Sequence, residues 1–157
     1  MLWSLQILFG QVLMSNPYIF TATVSKIVDG DTMYVTDINL GFGLVHRGDT
    51  GRGITLRIFG IDCPEATNRK GRDPKEKKYG LAAKEFVKAF SPVGTKVTLR
   101  TYERDKFGRW LADIKVGAKW LSKELLKNHH AVEYHGENKK AVAKGHLANR
   151  KLVKLSE

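Results

Sequence analysis

Apolar and polar residues divide the chain into five segments of strand type and three of helix type. The strand-type segments are short and rich in β-branched and aromatic residues, whereas the helix-type segments repeat apolar residues every three or four positions. The predicted strands are residues 18–28, 32–36, 54–61, 97–102 and 110–116. The predicted helices are residues 81–90, 120–128 and 138–155. The order along the chain is therefore three strands, one helix, two strands and two helices.

The same patterns predict which side chains share a face. In residues 54–61, Leu56 and Ile58 share one face and Arg57 and Phe59 the other, so Arg57 is expected to project into a cleft. Asn138 is a suitable cap for the third helix. The apolar stripe predicted for the first helix consists of Ala82, Ala83, Phe86, Val87 and Phe90, and the apolar side predicted for the third helix consists of Ala141, Ala148, Leu152 and Leu155.

Two connecting segments stand out by composition. Residues 39–53 contain five glycines and few large residues after Val45, which indicates a loop or a distorted hairpin. Residues 66–78 are polar and basic, which indicates an exposed loop.

Five strands with a helix between the third and the fourth fit the OB-fold, a small Greek-key barrel that commonly binds oligonucleotides. We therefore expect an α+β, mainly β protein: a five-stranded barrel with about three helices packed against it. A chain of 157 residues is most simply one domain, here residues 18–156. Residues 1–14 are an apolar N-terminal extension that carries no charge. We interpret it as either a misassigned start, with Met14 as the alternative, or a degenerate signal peptide, and it is too short to span a bilayer.

Charge indicates the partner. The formal net charge is +11 and the pI is about 9.8, which favours a polyanion: nucleic acid first, an anionic membrane surface second. An inert basic surface is the alternative. A membrane role ranks last because no basic amphipathic helix with bulky apolar anchors is evident.

Cysteine and histidine predict no zinc site. The single cysteine, Cys63, excludes an intramolecular disulfide, and no Cys/His spacing suits zinc. We interpret all five histidines as ordinary polar residues.

Candidate chemistry lies at the strand ends. Asp31 and Asp62 come from separate strands and can converge on a hard cation, although Asp29-Gly30-Asp31 can equally be a hairpin turn. Glu65, beside Pro64, can deprotonate a water, or it is an ordinary surface carboxylate.

Arg57 and Arg109 are candidates for binding a phosphate, because a guanidinium matches phosphate oxygens in pairs and stays charged. An arginine inside an apolar strand needs a partner, so the functional interpretation is stronger for Arg57 than for the turn residue Arg109.

Three blocks in this order resemble the staphylococcal (micrococcal) nuclease family: Asp29-Gly30-Asp31-Thr32, Arg57 with Asp62-Cys63-Pro64-Glu65, and Asp105-Lys106-Phe107-Gly108-Arg109. The resemblance extends over residues 20–155. Residues 132–136 are similar to forms of the domain carried by phages and mobile elements.

This resemblance implies a Ca²⁺-dependent nuclease that acts on DNA and RNA and leaves 3′-phosphate ends. By motif position, the side chains of Asp31 and Asp62 and the backbone carbonyl of Cys63 would bind Ca²⁺. Glu65 would be the general base, and Arg57 and Arg109 would bind the scissile phosphate and stabilise the transition state.

The resemblance also implies further substrate contacts. Lys106 would lie along a neighbouring phosphate, and Lys78 belongs to the basic loop that forms a mobile flap in the family. Phe107 stands where a tyrosine is common, so one phosphate contact is in doubt while the ring can still stack. Tyr134 can stack on a base or pack in the core. Cys63 replaces the usual threonine, and a buried thiol there is expected to be structural.

Two functions remain in competition. The first is an active metal-dependent phosphodiesterase, and the second is an OB-fold module that binds nucleic acid without cutting it. Degenerate members of the family usually lose the glutamate or an arginine, and here both are present. We expect a monomer without a stable protein partner or membrane association. The compartment is not fixed by the sequence, with an intracellular or phage-associated location slightly favoured over secretion.

Overall fold

The computed structural model of the chain describes residues 17–48, 51–67, 73–136 and 138–155. The predicted extension, residues 1–14, lies outside these ranges, as do the basic residues Arg69, Lys70 and Arg72 of the predicted flap. The described residues form nine strands and three helices. The strands are β1 (Tyr18–Ile27), β2 (Thr32–Gly41), β3 (Leu44–His46), β4 (Ile54–Ile58), β5 (Ile61–Asp62), β6 (Lys96–Arg104), β7 (Trp110–Val116), β8 (Lys119–Trp120) and β9 (Val132–Glu133). The helices are α1 (Glu76–Phe90), α2 (Leu121–Lys127) and α3 (Lys139–Asn149).

Five strands close into a barrel. Their order is β1-β6-β7-β4-β2, and β2 pairs with β1 to complete the ring. The β4–β7 pairing is parallel and the other four pairings of the ring are antiparallel. β3 and β8 extend the sheet at β2 and β7, and β5 pairs with β9 in a separate small sheet. The predicted α+β, five-stranded OB-fold barrel is confirmed.

The core lies inside the barrel and under the first two helices. Alternate residues of the strands point inward, as the burial of Ile54, Leu56 and Ile58 against the half-buried Thr55 and Arg57 illustrates. The predicted division of faces in this strand is therefore confirmed. α1 and α2 cover the open side of the barrel with four fully buried residues, namely Ala83, Val87, Leu121 and Leu125.

Four predicted elements differ clearly from the structure. The segment predicted as one strand, 54–61, is β4 and β5 separated by a turn at Phe59 and Gly60, and Gly60 has the positive φ of 76° that this turn requires. β2 extends to Gly41, beyond its predicted end at residue 36, and pairs with β3, which agrees with the distorted hairpin given as one alternative for residues 39–53.

The third difference concerns α1, which begins at Glu76 and not at Leu81. The Glu76 N–H donates to the Asp73 carbonyl at 2.9 Å, and this bond starts the helix. Lys78 therefore lies in the first turn of α1 and not in a loop as predicted. Lysine, glutamate and alanine are good helix formers, so the basic composition did not exclude a helix.

α3 begins as predicted but ends earlier and faces differently. The Asn138 side chain accepts a hydrogen bond from the Lys140 N–H at 2.9 Å, which confirms the cap. The helix ends at Asn149, six residues before the predicted Leu155. The predicted apolar side is exposed, and the inward side consists of Val142, Gly145, His146, Asn149, Arg150 and, just beyond the helix, Val153. Within the described residues, no helix is long and apolar enough to cross a membrane.

Candidate functional site

Arg57 lies between two carboxylates. Its Nη1 is 2.5 Å from Asp31 Oδ2, and its Nη2 is 2.8 Å from Asp62 Oδ1. The strand register brings Asp31 close, because Thr32 pairs with Arg57 across β2 and β4. The turn at Gly60 then returns the chain so that Asp62 reaches the other end of the guanidinium. The structure thus brings together three of the predicted site residues.

Asp31 is buried, and its surroundings disfavour the charged form of its carboxyl. Only 7% of the residue is exposed, and burial raises the pKa of its carboxyl even though Arg57 acts in the opposite direction. Oδ2 accepts the Cys63 N–H at 2.7 Å, and Oδ1 accepts the Thr32 hydroxyl at 3.0 Å. These bonds fix the carboxylate and link the start of β2 to the residue that follows β5.

The guanidinium of Arg57 is held in its charged form. Burial disfavours the charge, but Asp31 and Asp62 together keep the pKa of Arg57 above its ordinary value. Among the described residues, Nη1 makes an ion pair with Asp31 but no hydrogen bond of good geometry.

The donor set fits a hard cation. Asp31 and Asp62 supply oxygen ligands, and their two negative charges exceed the single positive charge of Arg57. The described part of the chain contains no group of three or more His, Cys, Asp and Glu side chains suited to a metal. A cation at these two carboxylates would therefore complete its shell with water and backbone carbonyls, and the role of the Cys63 carbonyl stays a prediction.

The Cys63 side chain is a packing group. The residue is buried, and burial, followed by the charge of Asp31, raises the pKa of the thiol well above its ordinary value. Its Sγ would be 2.9 Å from a Cβ added at Gly30, so a glycine is needed where the Asp-Gly-Asp turn meets this thiol and Ala83 of α1. These contacts agree with the structural role expected for the thiol.

Glu65 lies in the segment between β5 and α1, three residues after Asp62. Its N–H donates to Glu76 Oε1 at 3.2 Å. A Cβ added at Gly80 would overlap the Glu65 carbonyl group and the Ala66 nitrogen, so α1 packs directly on the backbone of this segment. The backbone that carries Glu65 is therefore set by α1, while the role of its half-buried side chain as a base stays a prediction.

Arg109 is held by its own turn. Its Nε donates to Asp105 Oδ2 at 2.7 Å, and its backbone N–H donates to Asp105 Oδ1 at 3.0 Å. Arg57 pairs with Leu111 across β4 and β7. Arg109 lies two residues before Leu111, immediately before β7 begins. The contacts found for Arg109 are therefore with Asp105. That Arg109 and Arg57 bind the same phosphate stays a prediction.

The remaining predicted substrate residues occupy separate places. Phe107 is 73% exposed on the same turn, with the Lys106 ammonium 5.2 Å and the Arg109 guanidinium 5.5 Å from its ring centre. The exposed Lys78 has its ammonium 5.0 Å from the Tyr79 ring centre. Tyr134 is half-buried beside the turn at Phe59 and Gly60, and its N–H donates to the Gly60 carbonyl at 2.9 Å. Their contacts with substrate stay predictions.

One residue at the site was missed by sequence analysis. His146 Nε2 is 2.9 Å from Asp62 Oδ2, a contact that the interpretation of the five histidines as ordinary polar residues did not foresee. Gly145 was the available signal, because a glycine inside a helix often marks a close approach. A Cβ at Gly145 would be 2.9 Å from Val132 Cγ1, and this contact turns the face with His146 inward.

The family model described as "Staphylococcal nuclease homologue" matches residues 55–152. The chain is 30% identical over 116 residues to a thermonuclease of Staphylococcus hyicus, covering 73% of this chain and 59% of that protein. It is 31% identical over 97 residues to a probable endonuclease, LCL3, of Yarrowia lipolytica, covering 58% and 40%. It is 26% identical over 120 residues to the endonuclease YhcR of Bacillus subtilis, covering 73% and 9%.

This chain spans less than two thirds of the length of each of these relatives. The family model nevertheless covers more than half of the chain, including most of β4, the Arg57–Asp62 pair and all three helices. The chain therefore belongs to the family of staphylococcal nuclease homologues.

Proposed function

We propose that this protein is a Ca²⁺-dependent nuclease that hydrolyses phosphodiester bonds of DNA and RNA with little sequence specificity and leaves 3′-phosphate ends. One observation carries the proposal. In a chain of this family, a partly buried arginine, Arg57, lies between two carboxylates, at 2.5 Å from Asp31 and 2.8 Å from Asp62. This arrangement combines a hard-cation site with a phosphate-binding group.

The charge of the protein suits such a substrate. A net charge of +11 attracts a polyanion, and lysines that neutralise phosphates release counterions irrespective of base sequence. The exposed turn with Lys106 and Phe107 adds a cationic and an aromatic group that can follow the strand.

The residues divide the chemistry as follows. Asp31 and Asp62, with the Cys63 carbonyl, would hold Ca²⁺, which when bound would supply positive charge that favours attack on the phosphate. Arg57 and Arg109 donate N–H groups to the phosphate oxygens, where negative charge grows in the transition state. Glu65 takes a proton from the attacking water, whose oxygen forms the new bond to phosphorus. The bond to the 5′ oxygen breaks, and that oxygen takes up a proton from solvent, which leaves a 3′-phosphate and a 5′-hydroxyl.

The test is cleavage of single-stranded DNA, double-stranded DNA and RNA by the purified protein. Each substrate is incubated with Ca²⁺, with Mg²⁺ and with chelator, and the ends are analysed for phosphate. Cuts that require Ca²⁺ and leave 3′-phosphates are expected. Cutting that persists in chelator, or 5′-phosphate products, would contradict the proposed ion or the proposed bond.

A parallel binding measurement distinguishes the competing function. Retention of DNA without any cutting, in the presence of Ca²⁺, would identify an OB-fold binding module and remove the nuclease proposal. The same result with every ion tested would also direct attention to Phe107, where the aromatic hydroxyl common at this position is absent.

A further inference from the structure

Half of the residues on the inward side of α3, which packs against β9, are polar. The exposed residues of α3 and the chain just after it include three leucines, namely Leu147, Leu152 and Leu155. Hydrophobic burial therefore contributes less to the docking of this helix than it does for α1 and α2. The three polar residues that face inward are His146, Asn149 and Arg150, and each has a defined contact.

Two of these polar contacts attach the helix to residues other than Asp62. Asn149 Nδ2 donates to the Ala131 carbonyl at 2.9 Å, next to β9. Arg150 Nη1 donates to Asp73 Oδ2 at 2.5 Å, just before α1. The contact of Gly145 with Val132 adds a third point of attachment. α3 thus has three points of attachment besides His146.

The third polar contact, made by His146, reaches the site itself. His146 is only 9% exposed, and its Nε2 lies 2.9 Å from Asp62 Oδ2. The other oxygen of the same carboxylate, Oδ1, accepts from Arg57 Nη2 at 2.8 Å. Both oxygens of Asp62 are therefore hydrogen-bonded, one by Arg57, 5 positions away in the chain, and one by His146, 84 positions away.

The direction of the hydrogen bond follows from the partner. A carboxylate can only accept, so the Nε2 of His146 carries the proton and donates it. His146 Nδ1 is buried and has no hydrogen-bond partner among the described residues, so Nε2 is the functional end of the ring. A carboxylate fixed at both oxygens loses its freedom to rotate, which orients its remaining lone pairs before a ligand arrives.

We propose that His146 is a positioning residue that orients the Asp62 carboxylate for the cation and for Arg57, so that α3 is part of the ion site. This inference rests on the proposed Ca²⁺ site and deepens it. The residue touches neither substrate nor cation and acts through Asp62. Partners of this kind typically change metal affinity by about 10–100-fold when they are removed.

The test compares two amides of different reach. His146→Gln places an N–H donor near the position of Nε2, whereas His146→Asn is shorter and places its donor near Nδ1. Ca²⁺ affinity is measured by calorimetry on the protein without substrate, and kcat and KM for DNA are measured separately. His130→Asn is the matched control, because His130 is also buried with an unpartnered Nδ1 but packs on Phe86.

The expected result is a pattern across the three variants. His146→Asn should weaken Ca²⁺ binding by about 10-fold or more and lower kcat, with little change in KM for DNA. His146→Gln should recover most of both, and His130→Asn should match the parent in Ca²⁺ affinity.

Several results would overturn the inference. If Ca²⁺ affinity is unchanged in a folded His146→Asn protein, or if the two amides at 146 weaken it equally, His146 does not position Asp62. Loss of affinity that merely follows thermal stability across all three variants would assign the residue a structural role. A parent protein that binds no Ca²⁺ would remove the proposed function as well, whereas a cutting parent with unaffected variants removes only this inference.

Discussion

Asp31 Oδ2 lies 2.5 Å from Arg57 Nη1, and this ion pair joins the residue that precedes β2 to the end of β4. The pairing of the two strands fixes it, because Ile58 N–H donates to the Asp31 carbonyl at 2.8 Å beside the side-chain contact. The guanidinium thus occupies the space between two carboxylates before any cation is bound. Positive charge at this place has two sources, the arginine and the proposed ion, and their contributions can be separated.

Arg57→Met should destabilise the protein without divalent ions and abolish cleavage. Removing one partner of a buried ion pair costs about 3–5 kcal/mol because the other charge is left uncompensated. Both side chains are nearly buried, so solvent screening relieves little of this cost. Ca²⁺ should restore part of the loss, since it would supply positive charge to Asp31 and Asp62. Urea unfolding with and without Ca²⁺ measures the effect.

The outcome that contradicts this prediction is an Arg57→Met protein with the stability of the parent in chelator. If Ca²⁺ raises the stability of Arg57→Met no more than it raises that of the parent, the ion does not replace the positive charge of Arg57, which also contradicts the prediction. Arg47→Met is the control, because Arg47 also pairs with an aspartate, Asp37, but at an exposed place where an ion pair is worth little.

Glu65→Gln should lower turnover by about 10²–10⁴-fold while Ca²⁺-supported DNA binding is retained. The amide cannot accept a proton from water, but its size and its backbone contact with Glu76 are preserved. Single-turnover cleavage and binding by fluorescence anisotropy measure the two quantities. Glu103→Gln, at an exposed glutamate of β6, controls for the change in charge. Equal turnover in Glu65→Gln and the parent would remove Glu65 as the base.

Local patterns predicted the parts of the fold that local patterns determine. Alternation placed Leu56 inward and Arg57 outward, and the cap at Asn138 marked the start of α3. Motif spacing also found Asp31, Arg57 and Asp62, which converge because a strand register and a tight turn connect them.

Contacts between distant segments could not be predicted in this way. The inward side of α3 is set by the approach of Gly145 to Val132 and by the Arg150–Asp73 ion pair, so its leucines point outward against the apolar pattern. His146 meets Asp62 only because of that docking, and no spacing within the chain encodes a contact across 84 residues. The early start of α1 depends similarly on the Asp73 carbonyl.

Asp113→Asn should stabilise the protein increasingly as pH rises. Burial raises the pKa of the Asp113 carboxyl above its ordinary value of 3.8, with hydrogen bonds from Ser122 acting in the opposite direction. A group with a raised pKa in the folded state contributes stability that is present below 3.8 and is lost as pH rises through the folded pKa. Asparagine does not titrate, and its oxygen can accept from the Ile114 N–H as Oδ1 does at 2.9 Å.

The measurement for Asp113 is urea unfolding of parent and variant between about pH 4 and about pH 7. The advantage of Asp113→Asn should be smallest at the acidic end and largest at the neutral end. The Ser122 hydroxyl donates to Asp113 Oδ2 at 2.6 Å and so stabilises the charged carboxylate. Ser122→Ala removes this bond, and it should therefore destabilise the protein increasingly as pH rises, opposite to Asp113→Asn. A difference between parent and Asp113→Asn that does not vary with pH would contradict the prediction.

Arg109→Ala should lower kcat by about 10²-fold or more while KM for DNA changes little, because a donor that meets charge in the transition state stabilises that state more than the bound substrate. Arg47→Ala is the matched control. Arg47 Nε is 2.8 Å from Asp37 Oδ1, much as Arg109 Nε is 2.7 Å from Asp105 Oδ2, so both variants lose one positive charge and one such ion pair.

Asp105→Ala completes the series, since it leaves Arg109 charged but removes the carboxylate that orients it, and its kcat should fall between those of the parent and Arg109→Ala. Steady-state kinetics at several salt concentrations separate this effect from general attraction of DNA, which weakens with salt in all variants. If Arg47→Ala and Arg109→Ala lower kcat equally, Arg109 contributes charge to the surface and not to the reaction.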